Sequence, residues 1–382
     1  MKQKALDLHE KNRGKISIVS KLETKTQEDL SLAYSPGVAY PCLAIKENKE
    51  EVYKYTSKGN MIAVVSDGSA VLGLGDIGPL AGLPVMEGKA ILFKNFGGVD
   101  AIPICLDTQD PDEIINICKA IAPSFGGINL EDISAPRCFY IEETLKRDLD
   151  IPVFHDDQHG TAVVVLAALK NCCRLLGREF SDLKVVVNGP GAAGTSIIKL
   201  LHHCGIKNII ACDRNGTLYK GRENDTPEKL ELAEITNSEQ LKGDLKSAMV
   251  GRDVFIGVSV ADCVTQDMIR SMNKDPIVFA MANPNPEITY DDAKSAGAII
   301  AGTGRSDYPN QINNVLVFPG LFKGVLSARC KITEEIKILS AEAISSLISD
   351  EELREDYIIP NPLDLRVADT VAKFIVDAKA KK

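Results

Sequence analysis

The chain has 382 residues, 45% of them hydrophobic, which is more than one typical domain needs and enough to bury substantial cores in two. Its 44 basic and 53 acidic residues leave a formal charge of −9, so no surplus of Lys and Arg exists to displace counterions from a phosphate backbone, and a nucleic-acid partner is excluded. The N-terminal MKQKALDLHEKNRGKISI lacks a signal peptide's apolar stretch, and no run approaches the roughly 18 apolar residues that span a bilayer. Ten cysteines form no C-x-x-C pair, and several, among them Cys105, Cys118, Cys172, Cys173 and Cys212, fall in apolar segments where a reduced thiol acts as a small hydrophobe. The expectation is a cytoplasmic protein, neither exported nor membrane-embedded.

Along the chain, MIAVVSD (61–67), DAIPICLD (100–107), GGINLED (126–132) and IPVFHDD (151–157) read as strands. Between the second and third, Asp110 and Pro111 open a helix with Ile114, Ile117, Cys118 and Ile121 on one face. Alternation of this kind implies crossovers and a mainly parallel sheet. TAVVVLAALKNCCRLLG (161–177) is too long for a strand and reads as a buried helix joining two domains, divided as 1–158 and 159–382. Further strands follow at 183–189, 206–213, 252–258, 276–284 and 297–302, as in a doubly wound sheet. GRENDTPEKLELAE reads as a polar surface excursion, and the last residues as a Pro-rich turn with a closing helix. The fold class expected is α/β: an N-terminal α/β domain followed by a C-terminal Rossmann-type parallel sheet.

VVVNGPGAAGTSIIKLL carries G-x-G-x-x-G at Gly189, Gly191 and Gly194, after a β-branched run and before a helical pattern. The first glycine permits the turn, the second admits a pyrophosphate, the third lets helix and strand pack, and the helix N-terminus, with Ala192 and Ala193, faces the anion. Asp213 ends the next strand, where a carboxylate accepts hydrogen bonds from a ribose. It would repel a 2′-phosphate and favour NAD, while the adjacent Arg214 could pair with that phosphate, so NADP stays possible.

Glu131 and Asp132 in NLEDI, and Asp156 and Asp157 in FHDDQ, stand at the C-terminal ends of expected parallel strands, where open α/β sheets bind ligands. Clustered carboxylates repel one another unless a cation sits among them, and an all-oxygen set suits Mg²⁺ or Mn²⁺ better than zinc. Two alternatives stand beside this: capping residues of ordinary turns, and a zinc site on a helix using His155, His159 and Asp157.

These residues lie within motifs in a familiar order: LSLAYSPGVAYPC, VVSDGSAVLGLGDIGPLAGLPVMEGKAILFKNFGGVDA, INLEDI, FHDDQHGTA, NGPGAAG, MANPNPE and NQINNVLVFPG. Over essentially its whole length the chain resembles malic enzymes of the short bacterial type. The resemblance implies oxidative decarboxylation of L-malate to pyruvate and CO₂ with NAD(P) and a divalent metal. By the same resemblance Tyr34 protonates the enolate, Lys89 is the general base supported by Asp156, and Glu131, Asp132 and Asp157 hold the metal. Asn283 and Asn314, with Asn313 as a further candidate, match positions at the substrate and the nicotinamide end. One departure stands out: larger members carry a carboxylate-gripping arginine where this chain has Ala70, leaving Ser69, a backbone N–H or another basic residue to replace it. A homodimer is also implied, since short members usually pair and the segment before Tyr34 is too polar and helical to stand alone. Rival readings are an amino-acid-type or methylene-folate dehydrogenase without a metal, a zinc hydrolase, and a non-catalytic nucleotide sensor.

Overall fold

The computed structural model describes residues 1–71 and 73–381. Its first sheet holds four parallel strands, β1 (Met61–Ser66), β2 (Asp100–Cys105), β3 (Gly127–Leu130) and β4 (Val153–His155), in the order β2-β1-β3-β4. β1 and β3 are buried almost throughout, as strands covered by helices on both faces must be. The helix Pro111–Ile121 forms where expected, its N-cap Asp110 accepting from the backbone N–H groups of Asp112 and Glu113. After β1 the chain goes to β2 on one side and comes back to β3 on the other. The carboxyl ends of β1 and β3 therefore diverge and open a crevice.

The second sheet contains β5 (Lys184–Asn188), β6 (Asn208–Asp213), β7 (Gly216–Thr217), β8 (Val254–Gly257), β9 (Ile277–Ala280) and β10 (Ile300–Thr303). The order is β10-β9-β8-β5-β6-β7, parallel except for the short β7, which runs antiparallel to β6 and was not expected. Its reversal of strand order lies between β5 and β8, so a second crevice opens above Asn188 and Gly257.

Between the sheets runs the 21-residue helix Asp156–Leu176. It starts earlier than the apolar run indicates: β4 stops at His155, and Asp156 and Asp157 form the first helical turn instead of finishing a strand. Carboxylates are favoured there by the unpaired N–H groups and the positive end of the helix dipole. Gly177, at φ 62°, ends it in the left-handed conformation that glycine adopts without strain. By length and a mean hydropathy of 1.2 this helix could cross a bilayer, which the count of uninterrupted apolar residues did not register. Two thirds of it are packed inside the protein, and Val163 to Leu169 are wholly buried, so it is the central core helix.

The closing helix Arg366–Ala380 packs on Phe318–Ala328 through small residues: a Cβ at Gly320 would stand 2.8 Å from Ala368 Cα. At the other end of the chain the helices Lys2–Asn12, Gln27–Ala33 and Ala39–Glu47 bury no residue of their own. Leu6, Ile18, Val19, Leu32, Tyr40 and Leu43 are exposed on this arm.

Candidate active site

At the end of β3 the chain turns sharply, with Asp132 at φ 54°, a conformation uncommon outside glycine. The turn aims Glu131 and Asp132 toward Asp157 at the start of the core helix. Asp132 N–H donates to Asp157 Oδ2 at 2.8 Å, and one oxygen from each of the three carboxylates lies within 4.8 Å of the others. Asp132 Oδ2 is buried without a hydrogen-bond partner. Three converging oxygens with an orphaned lone pair fit a hard divalent cation such as Mg²⁺ or Mn²⁺.

Lys89, on the helix Gly78–Leu92, reaches the same cluster from the β1 side. Its Nζ lies 2.6 Å from Asp156 Oδ2, 2.8 Å from Glu131 Oε1 and 4.2 Å from the centre of the Phe318 ring. Asn129 donates to Glu131 Oε2 at 2.8 Å, and Asn314, from the second half of the chain, donates to Asp156 Oδ2. Burial works to lower the Lys89 pKa, but the charges of Asp156, Glu131 and Asp157 outweigh it and hold the ammonium above its ordinary value. Burial raises the carboxylates in turn: Asp156 is pushed up to about 7, and Asp132, also repelled by Asp157 and Glu131, to about 9. Four acidic groups share one buried cation, and the excess negative charge is what a divalent ion would relieve.

The glycine loop follows β5. A Cβ at Gly189 would stand 2.6 Å from the Val258 carbonyl, and one at Gly194 would overlap the Gly189 carbonyl. At Gly191 nothing lies within 4 Å, so the second glycine borders open space at the N-terminus of the helix Ala192–His203, where a pyrophosphate fits. One cleft of about 460 Å³ is lined by Asp132, Asp157, Ala192, Ala193, Asn283 and Asn314 among others. A second of about 560 Å³ runs past Gly189, Gly191, Asp213 and Arg214, and both include Val258 and Ser259. Carboxylate cluster and glycine loop are thus two ends of one groove.

The sequence matches two family models that together span nearly all of it: malic enzyme N-terminal domain over residues 11–146 and malic enzyme NAD binding domain over residues 158–379. The chain belongs to the malic enzyme family. A bifunctional malic/malolactic enzyme of Bacillus subtilis is 58% identical over 99% of this chain and 93% of its own. An NAD-dependent malic enzyme of Geobacillus stearothermophilus is 55% identical over 96% of this chain and 76% of its own. The crystal structure of a malic enzyme from Pyrococcus horikoshii superposes with a TM-score of 0.96 at 48% identity, covering 100% of this chain and 90% of that one.

Within this malic enzyme the residues singled out from the sequence are distributed unevenly. Lys89, Glu131, Asp132, Asp156, Asp157 and Asn314 come together. Asn283 and Asn313 line the cleft, where Asn313 also caps a short helical turn through Val315 N–H. Tyr34 does not join them: it follows the helix Gln27–Ala33, is 70% exposed and is not among the residues lining the cleft. The two histidines do not form a zinc site. His159 Nε2 is engaged by Glu142 at 2.8 Å and its Nδ1 by Lys337 at 3.1 Å, while His155 is wholly buried with neither ring nitrogen hydrogen-bonded.

Two further features refine the reading. The polar 221–234 excursion lies mostly at the surface, as expected, but is tied to the cofactor groove by Arg222, which is buried in a two-pronged pair with Asp213 at 2.7 and 3.0 Å and with Asp225. Lys229 adds a further contact to Asp213 at 2.5 Å, so the carboxylate expected to face the ribose carries two cations. Ser69 is not free to replace the missing arginine, since its hydroxyl donates to Asp67 at 2.6 Å and accepts Ser134 N–H at 3.0 Å. The sequence also gave no sign of Glu287, buried in the MANPNPE motif, which accepts Ser259 N–H at 2.8 Å and Ala282 N–H at 3.0 Å and so ties the ends of β8 and β9 beside the groove.

Proposed function

We propose that this malic enzyme performs the oxidative decarboxylation of L-malate to pyruvate and CO₂ with reduction of NAD(P), using Glu131, Asp132 and Asp157 to hold Mg²⁺ or Mn²⁺. The observation carrying this reading is the placement of Lys89 between Asp156 and Glu131, beside the three-carboxylate cluster and in one groove with the glycine loop. Glu131, Asp132 and Asp157 would hold the cation, which would supply Lewis acidity toward the substrate's oxygens, and the groove past the glycine loop would hold the nicotinamide cofactor, which would supply the hydride acceptor.

Lys89 takes the hydroxyl proton on Nζ. It can do so only when its own charge is disfavoured, and neutralising Glu131 and Asp157 removes two of the three attractions that hold its proton. Asp156 keeps the amine aimed, while Asn314 fixes Asp156 from the cofactor side. Asn283 and Asn313 border the substrate and nicotinamide end. Asp213 favours NAD through its negative charge, although Arg222 and Lys229 blunt that preference. The division at residue 158 is kept as a functional one, because the metal ligands precede it and the cofactor loop follows.

The protein is further read as a cytoplasmic homodimer acting on a small molecule. All ten cysteines are free, which suits a reducing compartment. The apolar side chains exposed on the N-terminal arm and the 70% exposure of Tyr34 support a pairing in which Tyr34 serves the neighbouring copy and protonates C3 there.

The test supplies L-malate, Mn²⁺ and NAD or NADP to purified protein. Reduced cofactor and pyruvate should appear together and EDTA should stop both; oxaloacetate as sole product, or turnover indifferent to EDTA, rejects the reading. Lactate is assayed alongside, because the Bacillus subtilis relative is named for malolactic activity too.

A further inference from the structure

Glu142 lies on the helix Arg137–Asp148, is not among the residues lining the cleft, and has its carboxylate almost wholly buried. Both oxygens are used. Oε1 accepts His155 N–H at 3.0 Å and the Lys146 ammonium at 2.7 Å, and Oε2 faces His159 Nε2 at 2.8 Å. An ionised carboxylate only accepts, so His159 presents Nε2–H and leaves Nδ1 to accept from Lys337 Nζ at 3.1 Å. Lys337, itself buried, comes from the helix Glu334–Ser346 in the half of the chain that carries the glycine loop.

Hydrogen bonds therefore run from Lys337 through His159 and Glu142 to the backbone of His155, the residue directly before Asp156 and Asp157. The His155 side chain cannot anchor this junction: its Nδ1 is 3.9 Å from Asp157 Oδ2, beyond hydrogen-bond reach. Burying Glu142 and Lys337 costs desolvation that apolar residues of similar size would avoid. What the charges add is a fixed position for the backbone N–H of His155, the residue directly before the two aspartates.

We propose that Glu142 is a positioning residue for the metal-binding and proton-handling carboxylates, holding the His155–Asp157 junction from behind, and that Lys337 acts on the same junction through His159. Neither residue lines the substrate cleft or the glycine-loop groove. The inference rests on the reading of Glu131, Asp132 and Asp157 as metal ligands.

The experiment titrates the full-length protein with Mn²⁺ and follows free Mn²⁺ by electron paramagnetic resonance, a readout independent of turnover. Glu142→Gln should loosen Mn²⁺ by roughly tenfold or more, the size usual for losing a partner behind a metal ligand, with NADH affinity unchanged. Lys337→Met, which keeps the apolar stem, should loosen it by about threefold, as the more remote link. Asp132→Asn is the control for the metal reading, and retained tight Mn²⁺ binding there refutes that reading instead of the role of Glu142. With the control behaving as expected, wild-type Mn²⁺ affinity in both other variants overturns the proposal, even if their melting temperatures fall. Should Glu142→Gln fail to fold, Lys337→Met decides alone, a loosened site supporting the proposal and a wild-type one refuting it.

Discussion

Lys89 and Asp156 meet across the junction of the two halves of the chain, Nζ to Oδ2 at 2.6 Å, and the same oxygen accepts Asn314 from the cofactor side. One carboxylate thus reports to both domains. Asp156→Asn removes the charge that aims and holds the amine while keeping the shape of the side chain. The turnover rate at saturating malate should fall by roughly 10²- to 10⁴-fold, the range expected when proton transfer is lost. NADH affinity measured by fluorescence should not move, because Asp156 does not line the glycine loop. An unchanged turnover rate would remove Asp156 from the proton-handling group.

Gly160 lies one helical turn after Asp156, and its missing side chain is what gives that carboxylate room. A Cβ there would overlap Asp156 Oδ1 and stand 2.9 Å from Asn314 Cβ. Helix propensity alone favours alanine over glycine by about 1 kcal/mol. Displacing a buried, paired carboxylate costs more, of order 1–3 kcal/mol through overpacking alone. Gly160→Ala should therefore lower both the melting temperature and the activity, and a more stable variant of full activity contradicts the close fit.

Much of the fold could be read from the sequence because the buried parallel strands are continuous apolar runs and the glycine spacing maps onto three distinct steric demands. The start of the core helix could not, since Asp156 and Asp157 end an apolar strand and open a helix with no intervening breaker. Partners distant along the chain were equally hidden. Glu142 meets His155 and His159, 13 and 17 residues away, only because the helix Arg137–Asp148 folds back onto β4 and the start of the core helix. Arg222 looked like one charge in a polar excursion, and its pairing with Asp213 follows from a tertiary return that local pattern does not encode.

As a proposed metal ligand, Asp132 is expected to make metal binding depend on pH. Burial and its neighbours raise it to about 9, against about 3.9 for an unfolded aspartate. Between those values the folded state binds a proton that the unfolded state lacks, so this group's contribution to stability is full below about 4 and is lost as pH rises to about 9. A divalent ion must displace that proton. Mn²⁺ affinity should accordingly rise with pH, by up to about tenfold per unit, and level off above about 9. Calorimetric titration at several pH values in buffers of different ionisation enthalpy also counts the proton released. Affinity independent of pH across that window excludes it.

Lys229 bears on cofactor choice. Both Asp213 oxygens already accept two donors each, from Arg222 with Asn215 N–H and from Arg222 with Lys229, so a ribose hydroxyl has to displace one of them. Lys229 is the most exposed of these side chains and the simplest to displace. Lys229→Met should free a lone pair for the ribose and remove a cation that a 2′-phosphate would use. The ratio of kcat/KM for NAD to that for NADP is predicted to rise by roughly tenfold, about the worth of one charge-assisted hydrogen bond. A ratio that falls or stays put means that Lys229 does not face the adenosine ribose.

Tyr34 offers the sharpest test of the dimer, because it is 70% exposed and is not among the side chains that Lys89 contacts, which are Asp156, Glu131 and Phe318. If each site takes Lys89 from one copy and Tyr34 from the other, Tyr34→Phe and Lys89→Ala each inactivate their own homodimer. When the two variants are mixed and allowed to exchange, about half of the dimers are mixed, and in each of those one site pairs an intact lysine with an intact tyrosine. Activity should return to about one quarter of the wild-type value over the time of subunit exchange. A site built within one chain predicts no recovery at any mixing ratio, since every copy then carries one defect. Light scattering on the same samples separates the outcomes further: a dimer with no recovery refutes the shared site alone, and a monomer refutes the pairing itself.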